Sequence, residues 1–156
     1  MKKLAILTSG GDSSGMNAVI RAAARTAISH NIEMIGYRKG FAGLIANDYI
    51  ELDTRAVSGV LQRGGTFLQS ARSAEFRTDA GLKKALDNLL KEGVDGLIVI
   101  GGDGSLKGAL ALDKAGFPVI GIPASIDNDI CYTDMSLGVD TALNNILYAV
   151  DCIKDT

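Results

Sequence analysis

The chain has 156 residues, 47% of them hydrophobic, which is enough for one domain with a buried core. Its formal charge of −2, from 16 Lys and Arg against 18 Asp and Glu, excludes the basic surface that nucleic acid or an anionic membrane requires. Since no apolar run approaches the ~18 residues of a spanning helix, we expect neither a nucleic-acid nor a membrane partner.

The first part of the chain predicts two strands around one helix. The opening apolar run, residues 4–7, meets the polar Thr8 and Ser9 before it reaches the length of a secretory leader. We therefore predict a first strand at residues 4–8, in a cytoplasmic protein. A helix is predicted at residues 15–30 and a second strand at residues 33–37.

The middle of the chain predicts loops followed by an amphipathic helix. Between residues 39 and 77 the pattern is loose, and it predicts a short helix near residues 55–62 and a strand at residues 66–70. A helix is predicted at residues 78–92, with Gly93 as its natural stop. Its apolar positions, which follow the helical period, are Leu82, Ala85, Leu86, Leu89 and Leu90.

The last part alternates strands and helices. A strand at residues 96–100, the most buried of the chain, precedes a helix at 105–114 and a strand at 118–122. The apolar stripe of a final helix consists of Val139, Leu143, Ile146, Leu147, Val150 and Ile153. Because the chain stops with this helix, we expect a fragment of a longer protein. The alternation predicts a doubly wound, Rossmann-like α/β domain with a largely parallel sheet.

The segment Ser9-Gly10-Gly11-Asp12-Ser13-Ser14-Gly15 joins the first predicted strand to the first helix. Backbone N–H groups and the helix dipole make such a turn a potential anion site. Neither Gly-x-Gly-x-x-Gly nor the Gly-Lys-Ser/Thr of a P-loop is present, so both common nucleotide fingerprints fail. This segment alone leaves open a tight turn without a ligand.

The segment Gly101-Gly102-Asp103-Gly104-Ser105 repeats the arrangement after a later strand. Because the carboxyl ends of parallel strands share one sheet edge, two Gly-Gly-Asp loops predict a phosphate cradle. The Asp103 carboxylate suits Mg²⁺, which prefers oxygen ligands. The alternative is that Asp103 caps the next helix, although a cap does not need four small neighbours.

Further candidate residues lie in Pro123-Ala124-Ser125-Ile126-Asp127-Asn128-Asp129, after the next strand. Two acidic residues around one Asn suit a metal site, a turn, or a base with an orienting partner, and their spacing leaves these open. Arg72 and Arg77 in a loop, and Arg21 and Arg25 on one helical face, are candidates for binding an anion.

Six short motifs occur along the chain in a specific order. They are Leu7-Thr8-Ser9-Gly10-Gly11-Asp12, Gly15-Met16-Asn17-Ala18, Arg63-Gly64-Gly65-Thr66, Ile100-Gly101-Gly102-Asp103-Gly104-Ser105, Ile126-Asp127-Asn128-Asp129 and Asp140-Thr141-Ala142-Leu143. In this order they closely resemble the amino-terminal half of bacterial ATP-dependent 6-phosphofructokinases. The resemblance covers the whole chain. It implies an incomplete ATP-binding domain at residues 1–138, followed at 139–156 by the first helix of an otherwise missing substrate domain.

The resemblance implies transfer of a phosphoryl group from Mg-ATP to the C1 hydroxyl of fructose 6-phosphate, a step of glycolysis. Asp127 is implied as the base, Ser125, Asp129 and Arg72 as further catalytic residues, and Asp103 as the Mg²⁺ ligand. The implied ATP-binding residues are Gly11, Arg72, Ser73, Gly102, Asp103, Gly104, Ser105 and Gly108. The implied sugar-phosphate residues are Ser125, Ile126 and Asp127.

Two further expectations follow from the resemblance. Gly104 favours ATP as donor, because relatives that use pyrophosphate carry Asp there, in space that the nucleotide needs. An effector site for ADP or phosphoenolpyruvate, between the subunits of a homotetramer, is implied at Arg21, Ala22, Ala23, Ala24, Arg25 and Lys154. This site departs from the family pattern, since Lys154 replaces the usual arginine, Arg55 is displaced by one position and Gly59 replaces a frequent Asp.

The family chain is about twice as long, beyond the usual size of one domain. The segments that grip the sugar phosphate and the later strands of the nucleotide domain have no counterpart here. We therefore consider two hypotheses, a portion of a phosphofructokinase and a nucleotide-binding module without turnover. Another kinase with a Gly-Gly-Asp-Gly loop, such as the NAD kinase or diacylglycerol kinase groups, is a distant alternative because it leaves residues 126–129 unexplained.

Overall fold

The computed structural model describes residues 2–154, in which five strands form one sheet and helices pack on both of its faces. The strands are β1 (Lys3–Ser9), β2 (Glu33–Tyr37), β3 (Tyr49–Glu51), β4 (Gly96–Gly101) and β5 (Val119–Pro123). The α-helices are α1 (Met16–Ser29), α2 (Gly40–Ala46), α3 (Asp79–Lys91), α4 (Asp103–Lys114) and α5 (Val139–Lys154). Two short 3-10 helices lie at Val60–Gln62 and Glu75–Arg77.

The strand order is β3-β2-β1-β4-β5, and all neighbours are parallel except β2 and β3. This confirms the predicted doubly wound, largely parallel sheet. The chain runs outward from β1 to β2 and β3, then returns to place β4 on the other side of β1. The carboxyl ends of β1 and β4 therefore flank a topological switch point, where Ser9 lies opposite Gly101. Open α/β sheets bind their ligands at such a point.

The core has two layers, one on each face of the sheet. Along β1, Ala5 and Leu7 face one layer and Ile6 faces the other, as the two-residue period of a strand requires. The first layer includes α2, α3 and α4. The second includes Ile20 of α1 and Leu68. Both central strands are buried at five positions, of seven in β1 and of six in β4. Since burial of one Leu or Ile side chain contributes roughly 1.5–3 kcal/mol, β1 and β4 form the hydrophobic centre of the fold, and β4 is the more completely buried, as predicted.

Outside residues 39–77, the predicted strands and helices are confirmed. Every observed boundary lies within two residues of the predicted one. The largest difference is at α4, which begins at Asp103 rather than at Ser105, so Gly102 is its N-cap. Asp103 is thus the first residue of the helix, and the alternative role of Asp103 as the helix cap is wrong.

The strand predicted at residues 66–70 is wrong, because this segment is a turn followed by irregular chain. Its carbonyls accept hydrogen bonds from scattered partners rather than from one ladder. Thr8 Oγ1 donates to the Gln69 carbonyl at 2.7 Å, and the Lys39 N–H donates to the Leu68 carbonyl at 2.9 Å. The apolar residues that suggested a strand instead place Leu68 fully inside the core.

Helix α2 and strand β3 are absent from the sequence prediction, and the helix predicted near residues 55–62 is a series of turns before the 3-10 helix at Val60–Gln62. The seven residues of α2 include two glycines, which disfavour a helix in isolation. A side chain at Gly43 would collide with the Arg38 carbonyl. Close packing, rather than helix propensity, therefore fixes α2.

Helix α5 and the edge strand β5 expose apolar side chains. In α5, Val139 is buried, whereas Leu143, Ile146 and Leu147 are each more than half exposed. The edge strand β5 likewise exposes Ile120. None of the helices between residues 2 and 154 has the length and hydrophobicity that crossing a membrane requires.

Candidate active site

The first loop of the site turns sharply between β1 and α1. Gly10 and Gly15 both have positive φ, at 88° and 94°, which a residue with a side chain rarely adopts. Between them, Asp12 accepts a hydrogen bond from Thr66, and Ser13 Oγ donates to the Leu137 carbonyl at 2.6 Å. The loop is thereby tied to two distant parts of the chain.

The second loop joins β4 to α4 directly beside the first. A Cβ atom built on Gly101 would collide with the Ser9 carbonyl at the end of β1, and one on Gly10 would lie 3.3 Å from Ser105 Oγ at the start of α4. Glycine is thus required at Gly101 by the close approach of the two loops. The expectation that both Gly-Gly-Asp loops lie at one sheet edge is confirmed.

A third loop follows β5 and is held by its own polar side chains. Asn128 Oδ1 accepts hydrogen bonds from the Ser136 N–H at 2.9 Å and from Ser136 Oγ at 3.2 Å. Ser125 Oγ donates to Asp129 Oδ1 at 3.2 Å and accepts from the Asp127 N–H at 3.3 Å. Asn128 therefore stabilises the turn, while the side chain of Asp127 is exposed in the cleft.

These three loops enclose a cleft of about 1090 Å³, together with residues 72–82 and the first turns of α4. All twelve predicted catalytic, ATP-binding and sugar-phosphate positions line it. They are Gly11, Arg72, Ser73, Gly102, Asp103, Gly104, Ser105, Gly108, Ser125, Ile126, Asp127 and Asp129. The structure thus brings together residues that the sequence separates by more than a hundred positions, while their individual roles stay predictions.

The glycines of the cleft differ in what they pack against. Cβ atoms built on Gly11 or Gly104 would meet no atom within 4 Å, and neither residue has a positive φ. A Cβ on Gly108, in contrast, would lie 2.8 Å from the Phe41 ring, which stacks on Phe76 with 3.9 Å between ring centroids. Gly108 is therefore explained by packing, whereas Gly11 and Gly104 leave space that opens into the cleft.

Lys107 also lines this cleft, although no motif in the sequence had indicated it. Lys107 Nζ donates to Asp103 Oδ2 at 2.6 Å, which joins the first two turns of α4. This hydrogen bond is the main cause of a raised pKa of Lys107. The spacing of four residues on one helix is a sequence signal for such a pair.

The sequence profile of the family described as "Phosphofructokinase" matches residues 3–156. The chain belongs to the phosphofructokinase family. It is 55% identical to an ATP-dependent 6-phosphofructokinase of Enterococcus faecalis, over 100% of this chain and 49% of that protein. A relative of the same name from Halothermothrix orenii is 51% identical, over 100% of this chain and 47% of that protein.

A solved structure of Pichia pastoris phosphofructokinase in the T-state matches 99% of this chain and 18% of its own, with 38% identity and a TM-score of 0.93. The chain spans about half the length of the curated relatives it matches, and corresponds to their amino-terminal half. The resemblance inferred from the six motifs is thereby confirmed.

The donor set of this phosphofructokinase cleft fits Mg²⁺ brought in with a nucleotide. Among residues 2–154, no three His, Cys, Asp or Glu side chains are grouped to hold a metal by themselves. Asp103 does offer a carboxylate at the N-terminal end of α4, next to the open space at Gly104. Mg²⁺ is commonly held by one or two carboxylates together with substrate phosphates, which matches this arrangement.

The residues predicted for effector binding lie outside the cleft, on α1 and at the end of α5. Arg21 Nη1 donates to the Val57 carbonyl at 2.7 Å, and Arg25 is exposed. Ala24 is completely buried in this structure, and its place in an effector site stays a prediction. Lys154 is exposed in the last turn of α5.

Proposed function

We propose that this chain supplies the Mg-ATP site and the catalytic base of a 6-phosphofructokinase. The reaction transfers the γ-phosphoryl group of ATP to the C1 hydroxyl of fructose 6-phosphate and gives fructose 1,6-bisphosphate and ADP. The observation that carries the proposal is the convergence of two glycine loops, Asp103, Asp127 and Arg72 on one cleft. The names of its curated relatives support the same donor and reaction.

The nucleotide phosphates bind at the N-terminus of α4 and at the loop after β1. Backbone N–H groups of Gly11 and of residues 102–104 donate to phosphate oxygens, and the α4 dipole favours the negative charge. The Ser105 N–H donates to the Gly102 carbonyl at 2.9 Å, so Ser105 contributes its hydroxyl group instead. Gly104 leaves room for the nucleotide, because no protein atom occupies the space beside it. This open space is the structural reason to prefer ATP to pyrophosphate as donor.

Asp103 holds the Mg²⁺ ion that accompanies the phosphates. When bound, the ion neutralises negative charge on the transferred group. Arg72, exposed in the same cleft, provides further positive charge for the transition state. Ser73 Oγ accepts from the Phe76 N–H at 3.2 Å, which orders the segment that carries Arg72.

Asp127 accepts the proton of the C1 hydroxyl group of fructose 6-phosphate. As it does so, the hydroxyl oxygen bonds to the γ-phosphorus, and the bond between that phosphorus and the leaving oxygen of ADP breaks. The Ser125 hydroxyl fixes the backbone at Asp127 and is itself bound to Asp129, so the three residues form one supported unit. Because phosphoryl transfer has a loose transition state, positioning of this kind supplies much of the catalysis.

The effector site and the homotetramer are proposed from the family resemblance, since the effector residues lie outside the cleft. A homotetramer would place Arg21, Arg25 and Lys154 near ADP or phosphoenolpyruvate between subunits. Substitution of the usual arginine by Lys154 weakens bidentate contacts to phosphate, so we expect a diminished response to effectors. Sedimentation with and without ADP would test both points.

A second candidate function is a nucleotide-binding module, in which the chain binds Mg-ATP but performs no transfer. The cleft supports it equally, since most of the predicted positions that line the cleft are those assigned to the nucleotide.

The deciding experiment compares the 156-residue chain with a chimera in which the second half of the E. faecalis relative is fused to it. Fructose 1,6-bisphosphate formation is measured by a coupled assay, and Mg-ATP binding by calorimetry. Binding by both proteins with turnover by the chimera supports the proposed reaction. Binding without turnover by either favours the second function, and a folded chain that binds no Mg-ATP contradicts both.

A further inference from the structure

Lys107 is a charged residue of the cleft to which the proposed reaction assigns no role. It lies in the second turn of α4, and its side chain is 73% exposed within the cleft. Its ammonium group is hydrogen-bonded to Asp103, the carboxylate that holds Mg²⁺ in the proposed function.

Acidic side chains outnumber basic ones in the lining of the cleft. The described residues that line the cleft include five carboxylates and three basic side chains. The carboxylates belong to Asp12, Asp79, Asp103, Asp127 and Asp129, and the basic groups to Arg72, Arg77 and Lys107. A lining with this excess of negative charge repels a polyphosphate unless cations are directed toward it.

Arg72 and Arg77 belong to the segment before α3, so Lys107 is the one basic lining residue contributed by the helix whose N-terminus receives the phosphates. When a divalent cation binds to Asp103, it competes with the Lys107 ammonium for the same carboxylate. The divalent cation and the Lys107 ammonium, bound to one carboxylate, also repel each other. The four-carbon stem of lysine is flexible, so its ammonium can move to another anion nearby.

We infer that Lys107 is a nucleotide-binding residue that exchanges partners. In the empty cleft its ammonium pairs with Asp103, and in the loaded cleft it binds a phosphate oxygen of the nucleotide. This inference rests on the proposed function. It adds one contact to the nucleotide site and a reason why the empty site does not leave Asp103 unpaired.

The inference is tested on the folded 156-residue chain by Mg-ATP titration at several salt concentrations. Lys107→Met is expected to raise the Kd roughly five- to twentyfold at low salt, as for loss of one charge-assisted hydrogen bond in a wet site. Its Kd should also depend less on salt than that of the unmodified chain. Lys107→Arg should keep most of the affinity because it keeps the charge.

Lys114→Met is the matched control, since Lys114 is exposed in the last turn of the same helix and does not line the cleft. It should leave the Kd and its salt dependence unchanged. If Lys107→Met binds Mg-ATP as the unmodified chain does, or loses no more than Lys114→Met, the role of Lys107 is wrong while the proposed function stands. If the folded, unmodified chain binds no Mg-ATP at all, the proposed function itself is overturned, and this role with it.

Discussion

Gly104 and Gly108 lie one turn apart on α4, and the protein needs a glycine for its own packing only at the second. A side chain at Gly108 would press on the Phe41 ring, whereas a Cβ atom at Gly104, which lines the cleft, would meet no protein atom within 4 Å. A glycine within a helix disfavours folding unless something else requires it. At Gly104 we attribute that requirement to the nucleotide.

Alanine substitutions separate these two cases. Gly104→Ala is expected to leave the free energy of unfolding unchanged or to raise it by up to about 1 kcal/mol, since alanine favours the helix. It should nevertheless weaken Mg-ATP binding. Gly108→Ala is expected to lower the free energy of unfolding by roughly 1–3 kcal/mol, because the new methyl group overpacks the aromatic pair. Urea unfolding and nucleotide titration check both, and equal destabilisation by the two variants would contradict the assignment.

Asp127 carries the proposed proton transfer, and its substitution should affect turnover alone. In the chimera with the E. faecalis half, Asp127→Ser is expected to lower kcat by about 10²–10⁴, the usual contribution of a general base. The Kd for Mg-ATP should not change. Asp134→Ser, in the same loop but outside the cleft, is the control and should retain full activity. Near-normal turnover of Asp127→Ser would show that another group accepts the proton.

At the scale of elements, Glu92 at the end of α3 ties that helix to α2 and β3. Its carboxylate accepts from Asn47 Nδ2 at 2.7 Å and from Tyr49 Oη at 2.8 Å. These hydrogen bonds, chiefly that of Asn47, hold the pKa of Glu92 below its ordinary value of 4.5. Its contribution to stability is therefore present above the unfolded-state pKa and is lost as the pH falls through the lower folded-state pKa.

Acidification should reveal this connection. Between about pH 5.5 and pH 3, the urea midpoint of the unmodified chain is expected to fall more than that of Glu92→Gln, which has no carboxyl group to protonate. Glu33→Gln, an exposed carboxylate on β2, is the control and should follow the unmodified chain. Parallel pH dependence of Glu92→Gln and the unmodified chain would rule out the proposed linkage.

The elements that the sequence pattern predicts correctly are those whose burial repeats with a regular period. The stripe from Leu82 to Leu89 marks α3, and the apolar run at residues 96–100 marks β4, because each faces a continuous core. Leu90, which the helical period also placed in the stripe, is instead 67% exposed. The elements missed, α2 and β3, are short and depend on contacts made elsewhere in the chain. The same holds at Leu68, whose burial comes from distant partners rather than from a strand.

In the candidate site, too, some features can be predicted from the sequence and others depend on the folded structure. Glycine and aspartate loops after strands are visible in the sequence, and the doubly wound topology then requires them to meet. The pairing of Lys107 with Asp103, and the different reasons for Gly104 and Gly108, depend on side-chain positions that loop motifs do not specify.

At the scale of the whole molecule, the apolar face of α5 is the feature that its packing leaves unexplained. Leu143, Ile146 and Leu147 are each more than half exposed, and so is Ile120 on the edge strand β5. Exposed apolar surface of this kind commonly marks an interface or a site of aggregation. We therefore expect the isolated chain to self-associate.

Charge substitutions on α5 test that expectation. The double variant Leu143→Lys and Leu147→Lys should shift the chain toward monomer in sedimentation velocity and leave Mg-ATP binding intact, since α5 does not line the cleft. Asn144→Lys with Asn145→Lys adds the same charge to polar positions of the same helix and should not. A monodisperse, monomeric unmodified chain would contradict the expected association.

The central claim is that this chain forms a working Mg-ATP site from the loops after β1, β4 and β5. The most direct measurement is calorimetric titration of the folded 156-residue chain, and of its Asp103→Ala variant, with ATP in the presence of Mg²⁺. We expect saturable binding of one nucleotide per chain, and we expect Asp103→Ala to weaken it strongly. Absence of binding, or binding that Asp103→Ala leaves unchanged, would contradict it.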